Sequence, residues 1–224
     1  MDIKFYLTIV IALLNIFLGL FILRKNPKNP SNYNYAGLCI SAGLWAISIA
    51  LLFVAKDVYT FELLIKVNYF FGILAPLFYV VFAYNFPYRK KLYPKMTPYL
   101  IYGIPVIQII LVLSNVLKME IVVDNGNMIF SSVIFNDFLI FTVYFFAYVI
   151  LGFFILLNKY FSSDGVHKIQ LRYIIVATIV TFFITSIFNV IFLLFNNLNY
   201  QWLGACFLLI HFFIVGYFLF IKFR

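Results

Sequence analysis

Seven mostly apolar runs of about twenty residues follow one another along this chain, each long enough at about 1.5 Å per residue to cross roughly 30 Å of bilayer hydrocarbon. They are Phe5 to Leu23, Tyr35 to Ala55, Leu63 to Tyr84, Thr97 to Leu117, Phe138 to Leu157, Tyr173 to Phe195 and Leu203 to Ile221. A water-soluble domain of this length carries about a quarter charged residues. Here 10% are charged, 66% are hydrophobic and the mean hydropathy is +1.07. Strands span a membrane only as a closed barrel of roughly ten-residue segments alternating apolar with polar, and the continuous runs show no such alternation. The prediction is an all-α membrane protein, a seven-transmembrane helix bundle. Ile, Val and Phe are weak helix formers in water, but hydrocarbon offers backbone groups no partner outside the helix, so the solvent overrides propensity.

The loops predict an orientation. One set carries Arg24, Lys25, Lys28, Arg89, Lys90, Lys91, Lys95, Lys159, Lys168, Arg172, Lys222 and Arg224 against Asp164, a net +11. The other carries Lys4, Lys56, Lys66 and Lys118 against Asp2, Asp57, Glu62, Glu120, Asp124 and Asp137, a net −2. Cations collect on the cytoplasmic side, which places the N-terminus outside and the C-terminus inside. A net charge of +9 alone would suit nucleic acid, but the cations lie in four short juxtamembrane clusters with no basic domain to display them. Membrane lipids with anionic headgroups are the expected partners. The first span is too long for a secretory signal and its cations follow it, so it is expected to remain in the mature protein.

No linker, low-complexity tract or internal repeat divides the chain, which reads as one domain over residues 1–224. The stretch Asn26-Pro27-Lys28-Asn29-Pro30-Ser31-Asn32 predicts a stiff turn between the first two spans, and Asn85-Phe86-Pro87-Tyr88 predicts the end of the third. Between spans four and five, two β-rich runs flank Asn125-Gly126, a pair that tolerates positive φ at both turn positions. A small extracellular β-hairpin is expected there, placed to act as a lid.

Catalysis needs converging titratable groups, and the spans offer few. There is no HExxH, no pair of intramembrane carboxylates and no mid-span lysine, while Cys39 and Cys206 lie apart inside spans. No enzyme activity, metal or cofactor is expected of this chain. His211, near the middle of span seven, is the one titratable group for which an intramembrane site is expected. Asn189 in span six, with Thr185 and Ser186 a turn earlier, and Asn68 and Tyr69 in span three are placed to line an outward-facing pocket with it; Asn15 reads as interhelical glue. Pro76 and Pro105 should each expose a carbonyl that a neighbour or ligand must satisfy. Trp202 is placed at the outer interface, whereas Trp45 is mid-span and needs a partner or pocket for its indole.

In order and spacing these landmarks resemble the seven-transmembrane N-terminal sensor region of bacterial histidine kinases, also found on diguanylate cyclases. The resemblance rests on the Asn26 to Asn32 turn, Trp45, Pro76, Phe86-Pro87, the Asn-Gly hairpin, Lys168-Ile169-Gln170-Leu171-Arg172-Tyr173, Asn189 and the basic Ile221-Lys222-Phe223-Arg224. It implies a receptor of the bacterial inner membrane that relays a stimulus through span seven to a cytoplasmic kinase or cyclase output, usually as a homodimer. No phosphoacceptor region or ATP-binding domain lies within these 224 residues, so kinase activity is expected of an attached or separate domain. The expected ligand-binding residues are Asn68, Tyr69, Asn189, Trp202 and His211. The rival expectation is a small transport or substrate-binding membrane subunit, disfavoured by the odd span count and the lack of repeats.

Overall fold

The computed structural model describes residues 3–88, 97–114, 121–124, 127–130, 135–191 and 200–219. Among them are seven α-helices: α1 (Ile3–Lys25), α2 (Pro30–Leu52), α3 (Val58–Asn85), α4 (Thr97–Leu113), α5 (Phe135–Phe161), α6 (Gly165–Ser186) and α7 (Gln201–Tyr217). A π-helical segment, Ile187–Ile191, extends α6. Strands β1 (Ile121–Asp124) and β2 (Asn127–Phe130) pair antiparallel, with Ile121 opposite Phe130 and Asp124 opposite Asn127. The turn residues Asn125 and Gly126, the basic run 89–95, and the expected span ends at Leu117, Phe195 and Ile221 lie outside the described residues.

Six helices close a ring: α1 packs on α2, α2 on α3, α3 on α5, α5 on α6, α6 on α7 and α7 back on α1. Helix α4 lies outside this ring against α3. Among the described residues, five stretches are long and apolar enough to cross a bilayer, in α1, α2, α3, α5 and α6 with its π extension, and α4 and α7 contribute further apolar helix. Large apolar side chains such as Phe17, Phe154 and Phe183 point outward and exposed, a pattern suited to hydrocarbon and not to water.

Helix ends depart from the apolar runs because capping, not hydropathy, sets them. The Asn29 side chain accepts from the Ser31 N–H at 2.8 Å and Pro30 opens the helix, so α2 begins inside the expected turn and the turn shrinks to residues 26–29. Asp57 likewise accepts from Thr60 N–H at 2.8 Å and starts α3 five residues before its apolar run. Helices α1 and α2 approach closely: a Cβ built on Gly19 or Gly43 would lie 2.9 Å from the carbonyl oxygen of Ala36 or Ala12. This is the small-residue packing that membrane helices use in place of a hydrophobic driving force.

Helix α5 supplies a side-chain donor close to each mid-helix proline. Pro105 has no N–H for the Ile101 carbonyl, and the Tyr148 hydroxyl donates to that carbonyl at 3.0 Å. One turn earlier on α5, the Tyr144 hydroxyl donates to the carbonyl of Ile73, three residues before Pro76, at 2.8 Å. Tyr148 thereby ties α4 to the ring.

Lys159 departs from its expected place among the solvated loop cations. It is 1% exposed, and its Nζ donates to the carbonyls of Ala83, Tyr84, Phe86 and Tyr88 at 2.7 to 2.8 Å. Helix α3 ends where Phe86 turns extended before Pro87, leaving its last carbonyls without intrahelical donors. An ammonium there satisfies them and complements the negative end of the helix dipole. Three N–H groups serve four carbonyls, so at least one bond is shared.

Three outcomes follow for stability. Lys159→Met should lower the unfolding free energy by about 1.5–3 kcal/mol, read as a lower unfolding midpoint in nanodiscs; an unchanged midpoint would remove its capping role. Tyr148→Phe should cost about 1 kcal/mol in the native chain but close to nothing in a Pro105→Ala background, where the alanine N–H recaptures the Ile101 carbonyl. Equal losses in both backgrounds would mean that the proline and tyrosine are unconnected. At Asp57, the Thr60 N–H holds the carboxyl below the usual carboxylate range. Its stabilising effect is therefore complete above an ordinary carboxylate pKa of about 4 and fades as pH falls through the lower folded value. Asp57→Asn should retain the cap and flatten the acid limb of a pH-stability profile, and an identical acid limb in the variant would count against this.

Candidate functional site

A cavity of about 130 Å³ sits near the mid-depth of the helix ring. Its walls are mostly apolar. Helix α2 contributes Leu38, Ala42 and Trp45; α3 contributes Gly72, Ala75, Pro76 and Tyr79; α5 contributes Phe141, Phe145 and Val149. Helix α6 and its π extension add Thr178, Thr181, Phe182, Thr185, Ser186, Asn189 and Val190, and α7 adds Leu208, His211 and Phe212. Five helices thus meet at the site, not the three expected. Missing side-chain bulk makes part of the room: the Phe141 ring packs over Gly72, and the Tyr79 ring over Gly152, where a side chain of any size would collide.

The polar groups at this cavity are unevenly served. Thr185 Oγ1 donates back to Thr181 O at 2.8 Å and Ser186 Oγ to Phe182 O at 2.7 Å, so both hydroxyl protons are used within their own helix. Among the described residues, eight buried side-chain polar atoms have no hydrogen-bond partner, and four of these belong to the cavity: Tyr79 Oη, Thr178 Oγ1, Asn189 Oδ1 and His211 Nδ1. Tyr79 and Thr178 lie close enough together for their hydroxyls to interact. A buried polar atom without a partner costs about 1–3 kcal/mol, and native proteins rarely keep one without a water, ion or ligand to serve it. Four of the eight gather at this one cavity.

Asn189 lies within the π-helical segment that extends α6, a feature common at functional sites. The Asn189 amide lies directly on the backbone of Gly204 in α7, where any Cβ would displace it. Beside it, Tyr35 on α2 donates from its hydroxyl to the Phe212 carbonyl at 3.1 Å, holding α7 against the ring next to His211.

Of the five expected ligand-binding residues, the structure brings Asn189 and His211 together at the cavity. Asn68 is engaged elsewhere: its Nδ2 donates to Ser48 Oγ at 2.9 Å and to Trp45 O at 3.4 Å, bonding α3 to α2. Tyr69 meets Phe141 edge-on, ring centroids 4.8 Å apart, and so backs one cavity wall. Trp202, in the first turn of α7, is half-buried with its indole N–H unpaired among the described residues and is not part of the wall. Asn15, read as glue, is fully buried with neither amide atom partnered among the described residues, so it bonds no neighbouring helix. Trp45 and Pro76, expected to need a pocket or partner, both line the cavity. Tyr79 and Thr178 were not anticipated. Thr178 had a legible signal, because Thr178, Thr181, Thr185 and Asn189 recur at spacings of three and four and form one polar stripe on an apolar helix.

The basic end of the bundle has its own cleft, formed by Lys25, Asn26, Asn29, Ser31, Asn32, Phe86, Pro87 and Leu219. It brings together the α1–α2 turn, the exit of α3 and the last described residue beyond α7. Helix α7 therefore touches both places, at His211 and Phe212 in the cavity and at Leu219 in the cleft, about 12 Å apart along its axis at helical rise.

Comparison with known proteins gives one family match: residues 7–222 match the N-terminal 7TM region of histidine kinase. No curated protein and no solved structure matches the chain. The match covers nearly the whole chain, agrees with the seven helices and five long apolar stretches, and concerns a sensor region as distinct from a catalytic domain. The chain belongs to the N-terminal seven-transmembrane regions of histidine kinases, and is a multi-pass protein of the bacterial inner membrane.

Proposed function

We propose that residues 1–224 act as one sensory domain, in which a stimulus molecule occupies the mid-bundle cavity and the resulting repacking travels along α7 to a cytoplasmic output. The observation that carries this reading is the gathering of four unpartnered polar atoms from α3, α6, its π extension and α7 at one apolar cavity. A ligand that serves those atoms in one helix arrangement and not in another shifts the equilibrium between the two by its difference in affinity. About 1–3 kcal/mol of such coupling suffices for a useful response.

In this reading the N-terminus and the β1–β2 pair lie outside the cell, and the cleft at Lys25 and Leu219 lies inside, against anionic lipid headgroups. Asn189 and His211 contact the ligand together with Tyr79 and Thr178. Asn68 and Tyr69 act at one remove, through the α2–α3 bond and the Phe141 wall, and Trp202 anchors the start of α7. The output is a histidine kinase domain, attached or separate, and kinase chemistry resides there. The assembly is a homodimer, as the family resemblance implies.

A chimera tests the relay. With α7 continued into the dimerisation and catalytic region of a histidine kinase and the protein placed in nanodiscs, filling the cavity by Ala75→Phe should change autophosphorylation by at least about fivefold, the lower end of ordinary coupling. Output insensitive to Ala75→Phe and His211→Leu, in variants shown to be folded, would end the proposal. So would net flux of a solute across vesicles holding the unmodified chain, which would favour the transport reading.

A further inference from the structure

We infer the chemical class of the cavity's ligand: a neutral, single-ring molecule bearing one O–H or N–H donor, of the phenol type. The inference rests on the sensory reading for its biological meaning, but its physical argument is independent. Charge is the first discriminator. Among the described residues no Asp, Glu, Lys or Arg lines the cavity. A charged molecule would lose its hydration there and meet no counter-charge, a penalty of several kcal/mol. The occupant is therefore neutral.

Size and shape come next. A cavity of about 130 Å³ is close to the engineered cavity of about 150 Å³ that takes up one benzene. Trp45, Phe141, Phe145, Phe182 and Phe212 supply aromatic faces and edges around it, and rings pack on such walls in stacked or edge-on geometry with a gain beyond area alone. A single substituted ring fits this space.

The unpartnered atoms then choose among ring compounds. Asn189 Oδ1 is an amide oxygen and can only accept. It needs a donor, which benzene or toluene lacks. Tyr79 and Thr178 hydroxyls both donate and accept, so they can bind the same ligand oxygen from its other side or close on each other. His211 Nδ1 adds a further position whose role follows its tautomer. Leaving the amide oxygen unserved by an apolar ring forfeits about the value of one buried hydrogen bond, so discrimination for the donor is built into the site.

The test uses the full 224-residue chain in nanodiscs, with lipid-only nanodiscs as the blank, and three probes followed by fluorine NMR titration: 4-fluorophenol, fluorobenzene and 4-fluorobenzoate. The expected result is saturable binding of 4-fluorophenol about tenfold tighter than fluorobenzene, with no saturable binding of the benzoate. Asn189→Leu should erase the preference for the phenol while fluorobenzene binding holds. Should that variant fail to fold, Thr178→Val provides the second test and should weaken 4-fluorophenol several-fold with fluorobenzene unchanged. Equal binding of phenol and benzene, tighter binding of the benzoate, or no saturable binding of any probe overturns the inference. If cavity filling alters kinase output in the chimera while no probe binds, the ligand class falls and the sensory reading stands. If the probes bind as expected but cavity variants leave output unchanged, the class stands and the sensory reading falls.

Discussion

In hydrocarbon a carbonyl without a donor has no water to turn to, and this constraint organises the whole bundle. Several carbonyls near breaks in the α-helical ladder are answered by a side chain from another helix. Tyr148 answers the gap before Pro105, Tyr144 serves the Ile73 carbonyl before Pro76, and Lys159 gathers the last carbonyls of α3. All three donors lie on α5, which makes that helix the element that holds α3 and α4 in place. Prolines that would loosen an isolated helix become fixed points once a tyrosine meets them.

Among the described residues, half of the buried polar atoms without a partner lie at the cavity. Tyr79, Thr178, Asn189 and His211 sit in the same low-dielectric interior, and the described residues leave an atom of each unserved. Helix α7 bears His211 at the cavity and leads to Leu219 in the basic cleft. Tyr35 bonds it to α2 through the Phe212 carbonyl, and Lys159 bonds α5 to the end of α3 through four carbonyls.

Much of the architecture was legible because hydropathy reports directly on the solvent around each segment. The helix ends were less so, since Asn29 and Asp57 start α2 and α3 in polar sequence before the oily run begins. Tyr144, Tyr148 and Lys159 were opaque for another reason: a tyrosine or boundary lysine in a membrane helix looks the same whether it faces lipid, headgroup or a neighbouring carbonyl. Asn68 and Asn189 illustrate the limit well. Both are asparagines within membrane helices, but one meets Ser48 and becomes a structural bond, while the other, in the π segment, meets Gly204 and the cavity.

From its sequence alone the chain is determined to be a helical membrane bundle with segregated charge and no charged pair in its interior, because transfer free energies and the positive-inside rule act residue by residue. Tertiary structure alone decided which polar residues are partnered and which, among the described residues, are not. That outcome depends on distances between helices far apart in sequence, such as Tyr148 to Ile101 or Lys159 to Ala83. Local composition sets what each helix can offer, and only packing determines what it meets.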